Sequence, residues 1–327
     1  MPPVGVSGPR ESRRLWHRRT VVNTRSDAKP NTGALRTAQW SHASLARAFS
    51  APAFILLVAT VVAPVFIVLL ISLTDYRLGR ITLNFVGLGN YTRMLADPFF
   101  WSALRNSAIY TAIVVPVSVF GALCLAVLLD GRRRSRRFYE IVYFLPVTST
   151  LTAMSIVWSY LLNGHIGPLA SLFTALGLPP LDFFADGTLA LIGLAIIGIW
   201  HLIGFNLILF LAGLTVISGE LKEASALDGM DGFWDRLRYL TWPLLAPTTI
   251  VVFVLSCIQA FQVFDTVAVL TNGGPYGATE MLLHKINTDT FTGLKAGYGS
   301  ALTVVYLVLI GAFSLVQVAF GNRKAHF

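Results

Sequence analysis

Glu223-Ala224-Ser225-Ala226-Leu227-Asp228-Gly229, with Pro243-Leu244-Leu245-Ala246-Pro247 beginning fourteen residues after Gly229, is a polar, mildly charged stretch between two long apolar runs. The chain around it is built for lipid. Of its 327 residues, 55% are hydrophobic and only 13% charged. Soluble domains carry about 25% charged residues, so roughly half the usual charge is missing. A large soluble core would not need so many uncharged runs of span length. The composition therefore defines an all-α polytopic membrane protein. Loops between spans are usually short and plain, so a helix-forming polar insert reads as a docking surface.

Six apolar runs reach the ~20 residues that cross a ~30 Å hydrocarbon layer. They fall at about 52–74, 103–129, 139–162, 188–217, 247–270 and 300–320. Each is expected to be helical, because lipid offers unpaired backbone groups no partner. Pro64 and Pro116 are expected to kink the first two. Residues 1–48 are polar, basic and free of apolar periodicity, which predicts a disordered tail. The remaining segments are a first transmembrane helix with its external loop (49–102), a five-helix core (103–320) and a short C-terminus (321–327).

Orientation follows from Lys and Arg. The tail, the 130–138 loop, the 218–246 loop and the C-terminus hold 19 of the 25 basic residues. That asymmetry predicts both termini, and the insert, in the cytoplasm. Arg132, Arg133, Arg134, Arg136 and Arg137 are its clearest marker. The formal charge of +9 is thus a topology signal, and nucleic-acid binding is excluded as the reading. Cys124 and Cys257 lie inside apolar runs and give no disulfide framework and no metal spacing.

Within the insert, Ser218 can cap a helix whose first turns carry Glu220 and Glu223. Ala224 and Ala226 favour helix and leave room for another surface to approach. Gly229 can end the helix in a left-handed conformation. Phe233, Leu237 and Leu240 then recur at helical spacing, as in a piece that could lie under the bilayer. Pro243 and Pro247 turn the chain into the fifth run.

These residues resemble the EAA loop of permease subunits of bacterial ABC importers, most closely the carbohydrate-uptake group that includes maltose and glycerol-phosphate permeases. Asp265-Thr266-Val267-Ala268-Val269-Leu270-Thr271-Asn272-Gly273-Gly274-Pro275 is similar to the end of the fifth core helix of that group. Phe85-Val86-Gly87-Leu88-Gly89-Asn90-Tyr91 resembles its first external loop, and Phe144-Leu145-Pro146 the start of its third span. The resemblance covers most of residues 52–320; Met230 stands where the family prefers a small residue. It implies the type I ABC importer permease fold and a subunit of an ATP-driven importer for a sugar, oligosaccharide or polyol phosphate. Implied partners are a second permease subunit, as a heterodimer, an ATPase pair carrying the ATP and Mg, and an extracytoplasmic solute-binding protein. Glu223, Ala224, Asp228 and Gly229 would form the ATPase contact: Glu223 as charge partner, Ala224 for close approach, Gly229 for the turn. The chain has no Gly-rich phosphate loop ending in Lys and Ser/Thr, so it is expected to bind no cofactor and to catalyse no reaction.

Polar groups within spans are costly in lipid and mark either a solute pathway or helix–helix contacts. Gln259, Gln262 and Asp265 fall at i, i+3, i+6; Trp200, His201, Phe205 and Asn206 mix aromatic faces with hydrogen-bonding groups, which suits sugars. Both readings stay open for all seven. His201 has no partner at metal-ligand spacing. Asn272-Gly273-Gly274-Pro275 is either a plain tight turn or an external contact for the solute-binding protein. An ion-coupled secondary transporter predicts inverted repeats and leaves the insert unexplained. A membrane enzyme would need a partner base or metal beside Asp182 and Asp186, and the sequence offers neither.

Overall fold

A computed structural model describes residues 46–47, 49–130, 136–229 and 232–324. The expectations for the N-terminal tail, for Arg132, Arg133 and Arg134, and for Met230 lie outside these residues. So do the side chains of Arg136, Arg137 and Phe233. The chain divides into two units, Met1–Val61 and Val62–Phe327. In the first, the described residues from Phe49 onward open an apolar helix, α1 (Phe49–Ser72), whose last turns belong to the second.

Among its described residues the second unit is mainly helical, with one isolated bridge between Thr74 and Phe85. Gly89–Leu95 (α2) is a short helix ahead of the 33-residue span Pro98–Asp130 (α3). Arg136–Thr148 (α4) and Leu151–Leu161 (α5) follow, then the short Pro168–Ala175 (α6) and the 28-residue span Gly187–Leu214 (α7). The polar insert forms Gly219–Leu227 (α8). Ala246–Phe261 (α9) and Asp265–Leu270 (α10) make up one interrupted span, and Leu282–Asn287 (α11) precedes the last, Ala296–Lys324 (α12).

Five of the expected runs are apolar helices long enough to cross a bilayer. The run at 139–162 is different. It breaks between α4 and α5 with a bend of 103°. It still crosses: Glu140 and Phe144 share a groove with Leu211 and Thr215 at one end of α7. Past the bend Trp158 packs edge-on to Trp200 at the middle of α7, and Gly164 lies against Asp182, ahead of the start of α7. Pro146 removes a backbone donor shortly before the bend, and Thr150 adopts an extended ψ of 130°. Pro116 leaves its helix unbroken, whereas Pro64 directly follows a π-turn at Val58–Val62.

The core lies where α3, α7 and α9 meet. α3 and α7 run parallel, with Tyr110 against Gly198 and Gly121 against Ile203. α9 runs the opposite way, with Thr248 beside Gly213. Lipid tails are as apolar as Leu, so close backbone approach and interhelical hydrogen bonds must do what the hydrophobic effect does in water. Asn206 supplies the bonds at the centre. Fully buried, its Nδ2 donates to Ser118 Oγ at 3.4 Å and its Oδ1 accepts from Ser256 Oγ at 2.9 Å. Leu237 and Leu240, expected at the bilayer surface, are buried instead, Leu237 within this core. An amphipathic face is equally satisfied by protein. A satellite core of Met94, Phe100, Leu282, Ile286, Tyr298, Leu302 and Tyr306 joins α2, α3, α11 and α12 at the other end.

Gly204 allows α4 to touch α7, because a Cβ there would collide with the Tyr143 carbonyl. Elsewhere in a helix, Gly→Ala gains about 1 kcal/mol. Here Gly204→Ala is expected to lose about 1–3 kcal/mol through overpacking, lowering the thermal unfolding midpoint of the purified protein. A midpoint equal to or above the parent's would contradict this packing.

Candidate functional site

Three places carry the residues singled out in the sequence. The first is α8. Its start is held by Ser218, whose Oγ accepts from the Leu221 N–H at 3.4 Å. Glu220 follows in the first turn, where a carboxylate favours the helix dipole. At its end the Asp228 N–H donates to the Ala224 carbonyl at 3.0 Å, and Gly229 turns away with φ +83°. No atom lies near the position a Cβ would occupy on Gly229. The glycine is therefore required by backbone conformation and not by crowding. Ser225 faces inward at 3% exposure, while Glu223, Ala224, Asp228 and Gly229 all face outward. Leu227 stands among them 89% exposed. It is an apolar tip between two carboxylates that the sequence reading passed over, and its signal was a large residue one position before Asp-Gly.

The second place is a cavity of about 190 Å³ inside the bundle. Four sequence candidates line it together: His201, Gln259, Gln262 and Asp265, with Tyr110 and Thr266 beside them. The spacing i, i+3, i+6 is only part of what unites them. α9 ends at Phe261, Phe264 takes φ −140° and ψ −55°, and a new helix starts at Asp265. Gln262 keeps the helical bond from its N–H to the Ile258 carbonyl at 3.1 Å and so follows Gln259, while Asp265 reaches the same space from beyond the interruption. Opposite it lies the bend of the third span, and Thr152 Oγ1 donates to Asp265 Oδ1 at 3.1 Å across the gap. The remaining candidates are placed elsewhere. Trp200 packs on Trp158 with ring centroids 5.5 Å apart, Asn206 is the cross-brace of the core, and Phe205 is half-buried outside the cavity lining.

The third place is the turn after α10. Asn272 and Gly273 have φ of 47° and 80°, the Gly274–Pro275 bond is cis, and Tyr276 and Gly277 again have positive φ. The buried Thr279 hydroxyl donates to the Gly274 carbonyl at 2.5 Å. Asn106 Nδ2 donates to the carbonyls of Gly277 and Glu280. A side chain on Gly273 would meet the Glu280 carboxylate, which is 2.8 Å from His284. So braced, the turn presents Asn272 and a fully exposed Tyr276.

A charged brace holds the same end of the bundle. Lys285 Nζ is 3.0 Å from both Asp97 and Asp289, and Tyr298 donates to Asp97 at 2.9 Å. Burial disfavours the Asp97 carboxylate, but Lys285, Tyr298 and the Phe99 N–H outweigh it and leave the carboxyl below its ordinary value. Burial likewise opposes the Lys285 charge, and its two aspartates raise it above the ordinary lysine value. The Asp289 contact stands at i+4 and was passed over in sequence; the Asp97 contact was not visible there, because Asp97 precedes α3 and Lys285 lies in the distant α11.

The chain belongs to the family described as binding-protein-dependent transport system inner membrane component, which it matches over residues 122–326. It is a permease subunit of an ABC transporter. It is 32% identical to the probable ABC transporter permease protein YurN of Bacillus subtilis over 276 residues, covering 83% of this chain and 94% of that one. It is also 32% identical to the sn-glycerol-3-phosphate transport system permease protein UgpA of Agrobacterium fabrum, covering 75% and 83%. Its fold matches a chain of a bacterial alginate ABC transporter, solved in complex with an alginate pentasaccharide-bound periplasmic protein. That match has a TM-score of 0.75 at 17% identity and covers 88% of this chain and 96% of the other. The type I permease fold implied by the EAA-like loop is thereby established.

The Asp97 brace has a defined acid response. Its carboxyl is depressed in the folded state, so its stabilisation is present above the ordinary carboxylate value of 3.8 and is lost as pH falls below it. Asp97→Asn is expected to cost about 1.5–3 kcal/mol at neutral pH, as a hydrogen bond to a charged group, and to flatten the loss of stability in strong acid. A variant with the parent's neutral stability and acid profile would contradict the brace.

Proposed function

We propose that this chain is one half of the translocation pore of an ATP-driven importer, and that α8 is its mechanical link to a cytoplasmic ATPase subunit. The observation that carries the reading is the separation of two features. A polar cavity lies where two spans are broken, and a capped, outward-facing helix stands between α7 and α9 at one end of the bundle. The positive-inside bias puts that end, and the C-terminus, in the cytoplasm.

On this reading Leu227 and Ala224 seat in an apolar cleft of the ATPase, and Glu223 and Asp228 pair with cations at its rim. ATP and Mg are held by the ATPase pair. Their binding and hydrolysis shift the permease between inward-open and outward-open states, which requires only that the two states differ in affinity for the motor. A second, non-identical permease completes the pore, and an extracytoplasmic solute-binding protein delivers the solute at the Tyr276 end. The solute class is a sugar, oligosaccharide or polyol phosphate. Supporting it are the UgpA relative and a cavity whose amides, imidazole and carboxylate can exchange hydrogen bonds with hydroxyls beside the Tyr110 ring.

Gly229 provides the test. Asn tolerates a left-handed backbone far better than a β-branched residue does. Gly229→Asn is expected to keep most uptake, whereas Gly229→Val should abolish it, with membrane insertion unchanged in both. Normal solute uptake by Gly229→Val, measured alongside surface levels, would contradict coupling through α8.

A further inference from the structure

Arg77, Arg80, Arg93 and Lys295 line a pocket of about 280 Å³ with Asp75 and Tyr298 at the end of the bundle opposite α8. It shares no lining residue with the central cavity. Four cations face one acid there, and that acid is already engaged. Asp75 accepts from the Asn84 N–H at 2.8 Å and from Asn84 Nδ2 at 3.0 Å. These bonds hold its carboxyl below the usual value. Asp97 is bound to Lys285, and Asp289 is shared between Lys285 and Lys295. Among the described residues Arg77, Arg80 and Arg93 make no ion pair. Among the described residues the pocket therefore holds three guanidinium groups against one carboxylate, Asp75, whose charge acts on Arg80.

Its position narrows the choice of anion. Asp75 to Arg80 come directly after the end of α1 at Ser72, and Lys295 immediately precedes α12. Both segments thus sit at headgroup depth. The loop between Arg80 and α2 exposes Ile81, Leu83, Phe85 and Leu88, with Ile81 uncovered entirely. Trp101, 51% exposed, hydrogen-bonds the Leu95 carbonyl nearby in sequence, as an interfacial tryptophan does. Apolar side chains beside a basic pocket suit a lipid surface, where they enter the acyl boundary while the cations reach phosphate. An acidic soluble partner would leave those apolar groups wet.

We propose that this pocket binds a phosphate group, presented by the headgroup of an anionic phospholipid, with Arg80 and Arg93 as the principal donors. Planar guanidinium forks match phosphate oxygens two at a time, which a lysine does not. A lipid seated there ties the loop after α1 to the start of α12, segments already joined where the Gly297 N–H donates to the Tyr76 carbonyl at 2.8 Å.

The test uses the full-length chain assembled with its partner subunits in nanodiscs of phosphatidylcholine, with or without phosphatidylglycerol, and reads retained lipid by native mass spectrometry. The parent is expected to retain phosphatidylglycerol preferentially. Arg80→Gln/Arg93→Gln should lose about 30-fold of that preference, the effect of two interfacial charges. Arg80→Lys/Arg93→Lys, which keeps charge without the fork and guards against misfolding, should retain part of it. Inorganic phosphate that binds the parent in phosphatidylcholine alone, and not the glutamine variant, would support the phosphate site and identify a free anion as its source. No phosphatidylglycerol preference and no phosphate binding in the parent would overturn the proposal. So would unchanged lipid retention in the glutamine variant, and so would lost association with a solute-binding protein while lipid retention stays intact.

Discussion

A peptide group that leaves a helix inside lipid has no water to bond, and each one left unpaired costs several kcal/mol. Two spans of this chain break that rule at the same depth. The third bends by 103° between Thr148 and Leu151, and the fifth stops at Phe261 and restarts at Asp265. Each break is tolerable only where protein or a water-filled cavity shelters it. Here the two breaks shelter one another, joined by the Thr152–Asp265 hydrogen bond and walled by His201 and Tyr110. The polar cavity is a consequence of this pairing. A chain with six straight helices would have no such space.

Around that centre the bundle is stiff. Asn206 joins three helices through two serines, Gly204 lies against the Tyr143 backbone, and Gly198 and Gly213 make room for the Tyr110 and Thr248 side chains. At one end the Lys285 brace and the Thr279-supported turn tie the loops together. That stiffness suits the proposed role of α8, because a force applied to an exposed knob can act on a distant cavity only if the material between does not yield. Leu237, buried in the core from within the insert, anchors the base of that knob.

The spans were legible in sequence because hydropathy reports burial in lipid directly. The insert was legible because Ser218, Ala224 and Gly229 occupy positions where helix starts, interiors and ends want them. The bend was not. Ser149 and Thr150 sit inside an otherwise apolar run, and composition records what a segment is made of but not the path it takes. The break after Gln262 carries neither Gly nor Pro, so the sequence put Gln259, Gln262 and Asp265 on one helical face; the two glutamines keep that register, and Asp265 lies beyond an interruption. Leu237 and Leu240 were assigned to the bilayer because helical periodicity cannot distinguish lipid from protein as the buried partner. Asp289 at i+4 from Lys285 was legible as a local pair, whereas Asp97, far away in sequence, left no local pattern to read.

The central claim is that the motor's state, delivered through α8, decides which side of the membrane the broken-span cavity faces. Gln262, an exposed residue of that cavity, offers a direct reporter. With Cys124 and Cys257 replaced by serine and a single cysteine at 262, labelling by a membrane-impermeant thiol reagent can be followed in the assembled transporter. The account predicts that reactivity from the outside rises when the ATPase is trapped with nucleotide and falls when it is nucleotide-free. Labelling from either face that is indifferent to nucleotide would contradict it.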